Sequence, residues 1–367
     1  MKACIIGIQN IKHMTLISIY TEYFRKNDIE YDIVYIDKYG IDESVGAECE
    51  YKFDGSVDKY NGFIGKILKS IEFKKYAEHI LKRNKYDFVV VWREQTAFLF
   101  SRFLKKYYKN KYSVNIRDLW DSKNIFLTNG VKKAVNNSAF NTVSSEGFIK
   151  YLPSADYTMV HSANREIIEK GFKPGNKDEL PIRITYIGTL RFQEYCIELI
   201  KSFDNDSCFL LEFIGQGSEE IEAFCKANHY TNVYCSGSFA PQETNEKLQG
   251  THVINCAFGS VELAERMLTP IRLYYAVSAG IPILTAEGTW IDEIGKKYGM
   301  GISVPSTFNA NMKIGNSVMA QYQNKNFEEM KLLQKKLSEE VIMSYNQFCK
   351  CMDSALNIKR SAMKNQV

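Results

Sequence analysis

The sequence has no hydrophobic run approaching the ~20 residues that a membrane-spanning helix requires. Proline is scarce, at 7 of 367 residues, and with only 22 glycines the chain is neither collagen-like nor dominated by linkers. None of the nine cysteines forms a C-x-x-C pair, and the one close pair, Cys349 and Cys351, has no histidine nearby, which argues against a zinc site. An odd number of thiols, several of them in apolar runs, is expected to stay reduced. The start, Met1-Lys2 followed by Ala-Cys-Ile-Ile-Gly-Ile, is too short for a signal-peptide core and lacks a small-residue cleavage site, so a cytoplasmic location is expected. Charge of neither sign dominates: 47 Lys and Arg stand against 43 Asp and Glu. Residues 1–175 hold 28 basic against 21 acidic side chains and the remainder 19 against 22, so the basic surface belongs to the N-terminal half. That balance is too mild for a dedicated nucleic-acid binder.

What is present is the composition of a globular protein, 45% hydrophobic and 25% charged, in a chain more than twice the usual domain size of roughly 100–150 residues. Short β-branched and aromatic runs alternate with longer helical stretches, the grammar of βαβ units and parallel sheets. In the first half this predicts strands at 2–8, 31–35, 88–92, 112–116 and near 157–161, with helices at 14–26, 62–84 and 96–109. The stretch 171–181 mixes Gly, Pro and charge and reads as a linker. The pattern then restarts, with strands at 183–187, 209–214, 233–235, 253–256 and 282–285. Near the C-terminus Met330, Leu333, Leu337, Val341, Tyr345, Phe348 and Met352 recur at steps of three and four, one buried stripe of an amphipathic helix. Two doubly wound domains would bring the carboxyl ends of both sheets to a shared cleft, where ligands of such sheets bind.

The run from Leu268 to Leu284 carries the strongest local signal. Thr269 can cap a helix, Pro270 suits its first turn and Gly280 its C-terminal stop. A helix starting there presents free N–H groups to an anion, and Arg272 adds a formal charge. A well-capped surface helix feeding a buried strand would look the same.

These residues resemble the P-x-K-L-x-E-Y-x-x-x-G-x-P-V signature of GT-B glycosyltransferases of group 1 (family 4 and its relatives), matching at Pro270, Leu273, Gly280 and Pro282, with Arg272 for the usual Lys. Tyr186-Ile-Gly-Thr-Leu-Arg191 resembles the first strand and turn of that family's donor domain, Phe213-Ile-Gly-Gln-Gly217 the next, and Asn232-Val-Tyr-Cys-Ser-Gly237 the strand before the nucleobase loop. The order is kept over residues 183–285. The resemblance implies a nucleotide-diphosphate sugar held by Gly188, Thr189, Arg191, Gly215, Gly237, Phe239, Leu268, Thr269, Arg272 and Tyr275, with no metal and no other cofactor. The chain departs from the family where two glutamates eight positions apart hold donor sugar and ribose: Met267 and Tyr275 stand there. The family's Arg after the first glycine is Thr189, which leaves Arg191 as the cation near the diphosphate, unless it faces water.

In the first half, Ile8-Gln-Asn-Ile-Lys-His13 follows the first strand, where the family has its acceptor loop, and His13 is a candidate base. Val91-Trp-Arg-Glu-Gln95 and Asn115-Ile-Arg-Asp-Leu-Trp-Asp121 both close apolar strands with carboxylates, so Asp118 first and then Glu94 are candidates to take a proton from an acceptor hydroxyl. A helix cap or an ion pair would use the same residues. Asp204-Asn205-Asp206 looks like a metal-binding DxD but precedes its strand, and so reads as a polar turn. Residues 63–86 and 105–112 mix lysines with apolar and aromatic side chains, as a solvated helix face or a surface for anionic lipid would.

The expectation is an α/β protein of two Rossmann-like doubly wound domains facing a cleft, the GT-B architecture. Residues 1–173 would bind the acceptor and 174–345 the nucleotide sugar, with 346–367 returning to the first domain. The function implied is sugar transfer to a hydroxyl of a saccharide or lipid-linked acceptor in surface-polysaccharide synthesis. A nucleotide-sugar 2-epimerase or a non-catalytic sugar-nucleotide binder are the alternatives.

Overall fold

This computed structural model describes residues 1–120, 124–163, 171–259, 262–309 and 311–358. The chain divides into two compact units: Met1–His161 together with the chain from Met343 on, and Ser162–Ile342.

The first unit is built on seven parallel strands: β1 (Lys2–Gly7), β2 (Glu30–Asp37), β3 (Cys49–Asp54), β4 (Phe88–Trp92), β5 (Tyr112–Ile116), β6 (Phe140–Val143) and β7 (Tyr157–Met159). Their order is β3-β2-β1-β4-β5-β6-β7, so the direction of winding reverses between β1 and β4. Runs such as Phe-Val-Val-Val-Trp in β4 are buried throughout because helices cover both faces of a parallel sheet. On one face Ala3, Ile5, Ile33 and Val90 pack with Tyr20 and Tyr23 of the helix Ser18–Lys26 and with Phe348 and Met352 near the end of the helix Phe327–Leu356. The rings of Tyr20 and Phe348 meet edge to face at 4.9 Å. The helices Gly62–Asn84, Glu94–Tyr107 and Ile125–Val135 lie side by side. Phe73 packs on Phe100 at 6.0 Å, and Phe98 stands so close to Gly130 that a Cβ there would be 2.3 Å from its ring.

The second unit repeats the plan with β8 (Ile182–Ile187), β9 (Phe209–Ile214), β10 (Val233–Ser236), β11 (Val253–Asn255), β12 (Ile283–Ala286) and β13 (Gly301–Val304), in the order β10-β9-β8-β11-β12-β13. The helices Gln193–Phe203, Ser218–Ala227 and Gly315–Gln323 contribute to one core cluster, and Arg272–Ala279 and Trp290–Lys297 to another. Met330, Leu337 and Val341 of the long C-terminal helix belong to the second of these. The Gly/Pro-rich stretch at 171–181 is no free linker. Phe172 is buried in this core, Gly175 N–H donates to the Thr251 carbonyl at 3.0 Å, and His252 Nε2 lies 3.0 Å from the Asn176 carbonyl.

Strands β3, β6 and β13 and the helix Ile125–Val135 were not foreseen from sequence. Among the described residues no helix is long and apolar enough to cross a membrane. Because a crossover helix follows the carboxyl end of its strand, it begins at the carboxyl edge of the sheet, and that edge is where the candidate residues gather.

Candidate functional site

In the second unit the first two βα-turns are made of backbone. Gly188 closes β8 at φ +113° and Gly215 closes β9 at φ +135°, a conformation open to glycine and strained for other residues. The turns touch: a Cβ on Gly215 would lie 2.1 Å from the Gly188 carbonyl oxygen, whereas one on Gly188 would meet nothing within 4 Å. Gly217, at φ +91°, is the N-cap of the helix Ser218–Ala227. Space over Gly188 is therefore left for a ligand approaching the chain itself.

Arg272 opens the helix Arg272–Ala279 after the turn at Thr269 and Pro270. The residue is 7% exposed, and its guanidinium carbon sits 3.6 Å from the centre of the Tyr186 ring. Among the described residues it has no carboxylate partner, and its Nε, buried, has no hydrogen-bond acceptor. Cys196 and Cys256 are close enough to feel its charge, yet burial pushes both thiols up to about 12, so they stay neutral. A buried cation with no anion beside it carries a desolvation cost of several kcal/mol, which an anionic ligand would offset.

The other expected donor residues lie in the same unit. Thr269 is buried, Gly188 and Gly237 are half-buried, and Leu268, Phe239 and Tyr275 pack partly against the core under the helix. Burial raises the pKa of the Tyr275 phenol, so it is a neutral hydrogen-bonding group. Thr189 is exposed and its carbonyl accepts from Tyr186 O–H at 3.0 Å. Arg191 is exposed, in electrostatic reach of Glu265. Tyr186, the shelf for Arg272, was not singled out from sequence. An aromatic two residues before the first glycine is its only local sign. The Asp204-Asn205-Asp206 segment is a turn at the amino end of β9, with Asp204 and Asn205 both at positive φ and Asp204 paired with Lys313.

In the first unit, Glu94 begins the helix Glu94–Tyr107 directly after β4. It is 4% exposed, and its Oε2 accepts the Trp120 backbone N–H at 2.6 Å. Burial pushes the carboxyl up to about 7, against the opposing effects of that hydrogen bond and of the Arg93 charge. Arg93 takes φ +76°, a strained value for a non-glycine residue, and so makes the abrupt turn from strand to helix. Its guanidinium is ion-paired with Asp118, which follows β5 and whose side chain is 46% exposed. The structure thus gathers Glu94 and Asp118 at neighbouring strand ends and makes them unlike: Glu94 is buried, while Asp118 is half-open and neutralised by Arg93. His13 is exposed, its Nε2 3.0 Å from the Tyr39 hydroxyl. Asp121 lies outside the described residues.

No protein-family model matches the chain, and no curated protein matches it in sequence. Solved structures do match in shape. A sucrose-phosphate synthase from Thermosynechococcus elongatus shares 11% identity over 96% of this chain and 97% of its own, with a TM-score of 0.70. HepE from Anabaena, solved in complex with UDP, shares 11% identity over 96% of this chain and all of its own, with a TM-score of 0.64. The lipopolysaccharide outer core galactosyltransferase WaaB shares 14% identity over 96% of this chain and 99% of its own, with a TM-score of 0.62. The fold is accordingly that of the GT-B glycosyltransferase structures, two α/β units each on a parallel sheet.

Proposed function

We propose that the chain is a metal-independent GT-B glycosyltransferase that moves a sugar from a nucleotide-diphosphate sugar to a hydroxyl of a saccharide acceptor. The observation that carries this reading is Arg272: a buried, unpaired cation at a helix N-terminus, beside a glycine turn with open space above it. Diphosphate oxygens would take hydrogen bonds from its guanidinium and from the first N–H groups of the helix. Charge develops on those oxygens as the sugar–phosphate bond breaks, so the same groups stabilise the departing diphosphate more than the intact donor. The glycine turns at 188 and 215 let the backbone approach the nucleotide. Tyr275 would offer the ribose a neutral hydroxyl where relatives use a carboxylate.

The acceptor belongs with the first unit in this reading. Glu94, poised near neutrality, takes the proton of the attacking hydroxyl when it is ionised, and the Trp120 N–H holds it in place. UDP in the HepE complex supports a uridine donor, and WaaB's activity on lipopolysaccharide supports a lipid-linked surface saccharide as acceptor, processed at the cytoplasmic side.

Isothermal titration of the full chain with UDP, GDP and a nicotinamide dinucleotide tests the first half of the proposal. Binding of a nucleoside diphosphate and none of the dinucleotide is expected. Failure of every nucleoside diphosphate to bind overturns it. Conversion of a bound sugar nucleotide to its 2-epimer without acceptor would replace transfer by epimerisation. Tight donor binding with no turnover on any saccharide would leave a binding protein.

A further inference from the structure

The helix Gly62–Asn84 outgrows the sheet that it covers. Its 23 residues span roughly 34 Å, against about 17 Å for the five-residue strand β4. Phe73, Ala77, Ile80 and Leu81, its buried side chains, all lie from the midpoint on, and before them only Gly65 is buried. The overhanging turns instead turn Phe63, Ile64, Ile67 and Ile71 to solvent, exposed by 79, 81, 47 and 46%. Isolated exposed apolar residues are ordinary, but a cluster on one projecting element marks a contact surface. The run from Gly62 to Ile71 contains no acid, and Lys66 and Lys69 are set among the apolar residues. Neither lysine has a carboxylate partner among the described residues: Lys66 is exposed, and the half-buried Lys69 has only the Gly55 carbonyl, 3.5 Å from its Nζ, as a hydrogen-bond partner. Lys38, at the end of β2, is held below its ordinary pKa by partial burial and then by Lys69, Arg93 and Lys66, so cations converge on this rim. The helix starts at the carboxyl edge of the sheet. The helix Ile125–Val135, which begins at the same edge, opens with Ile125 and Phe126, exposed by 76 and 64%.

We propose that this rim of the first unit is a docking surface for an anionic phospholipid bilayer, with Phe63, Ile64 and Ile67 entering the boundary between headgroups and acyl chains and Lys66 and Lys69 meeting lipid phosphates. Charge selects this occupant over a second copy of the chain. Two such patches face to face would oppose their own lysines, whereas a bilayer supplies the missing anions. Only the front half of the basic stretch at 63–86 takes part. The second basic stretch, 105–112, ends its helix at the amino edge, and Tyr108 and Tyr112 there are buried in the core.

Co-sedimentation of the full chain with phosphatidylcholine vesicles, with and without phosphatidylglycerol, tests the proposal. Binding to the anionic vesicles alone is expected, fading as salt rises. The double variant Phe63→Ser, Ile64→Ser should lose it at least ten-fold, on the order expected when two large apolar side chains no longer leave water. Lys66→Gln and Lys69→Gln should each weaken it roughly five-fold. Circular dichroism and UDP titration on the same variants report folding and donor binding, so docking and the donor site fail separately. Absence of binding to anionic vesicles overturns the proposal, as does undiminished binding by the double variant. A dimer in sedimentation velocity that the double variant abolishes would assign the patch to a second copy instead.

Discussion

After β8 and β9 the chain turns on Gly188, Gly215 and Gly217, all at positive φ, and no side chain fills the space over Gly188. The strands at the same places in the first sheet, β1 and β2, end differently. Asn10 donates to Asp37 at 2.8 Å and to Glu43 at 2.9 Å, and the Ile11 and Lys12 N–H groups donate to Glu43 as well. One edge is therefore bare backbone and the other is laced by polar side chains. The strand order is common to both, 3-2-1-4-5-6 over six strands, so topology does not decide the difference. The loops do. A backbone-lined turn with a buried arginine suits a multivalent anion, whereas a buried carboxyl beside an ion pair suits proton transfer to or from a neutral hydroxyl. Function here is a property of residues placed on a shared frame.

The comparison breaks hardest at Glu94. In the proposed mechanism Glu94→Gln keeps the hydrogen bond from Trp120 but removes the base. Turnover should fall by roughly 10²–10⁴-fold, while UDP titrates as in the wild type. The wild-type rate should rise with pH through about 7, the value to which burial lifts this carboxyl. Stability should run the other way. In the unfolded chain the group titrates near about 4.3, so the folded state holds the proton more tightly. The stabilisation from that proton is complete below the unfolded pKa and is lost as pH rises through the folded value of about 7. Because Gln is neutral throughout, the variant should gain on the wild type between pH 5 and 8 by about 3 kcal/mol in urea melts. A constant difference across that range would mean that Glu94 is not held neutral by burial.

The second unit answers with Arg272. Arg272→Met should weaken UDP binding by about 1–3 kcal/mol, the range for hydrogen bonds to a charged group. The unliganded protein should keep most of its stability, since the substitution removes a buried charge that no carboxylate neutralises, which offsets the lost stacking on Tyr186. Arg191→Ala is the control. That side chain is exposed, so its loss should change UDP affinity less than about three-fold. Equal losses at both positions would move the diphosphate away from the helix N-terminus.

The frame was more legible than the edges. Strands such as Val89-Val90-Val91 and Leu210-Leu211 announce themselves, because a strand buried on both faces is apolar along most of its length. Strand β3, Cys-Glu-Tyr-Lys-Phe-Asp, did not: it is an edge strand, exposed or half-exposed along its length, so its polar residues carry no penalty. β6, Phe-Asn-Thr-Val, and β13, Gly-Ile-Ser-Val, are short and broken by polar residues or glycine, so neither reads as an apolar run. Arg272 was legible because cap, proline and glycine fall in register around it. The contrast between Glu94 and Asp118 was not, since it depends on how the chain after β5 lays the Trp120 N–H against Glu94. No local pattern encodes that approach. Nor does the sequence of 63–86 show where its helix leaves the sheet, because the same mixture of lysine and apolar residues runs on either side of Phe73.

The smallest expected effect falls on Asp118, which sequence alone ranked first. Its side chain is half-exposed and its charge is spent on Arg93. Pairs of that kind contribute about 0–1 kcal/mol, so Asp118→Asn should leave stability almost unchanged. With Asp118 neutral, its carboxylate no longer offsets the Arg93 charge, which adds to the direction in which it already pulls the Glu94 carboxyl, downward. The acid limb of the rate profile should shift to lower pH without disappearing, and turnover at its plateau should change less than about ten-fold, below the usual scale for losing a general base. A Glu94→Gln protein that keeps its activity beside an Asp118→Asn protein that loses it would exchange the two roles. The open, ion-paired carboxylate would then be the base, and the buried one a support for the turn after β5.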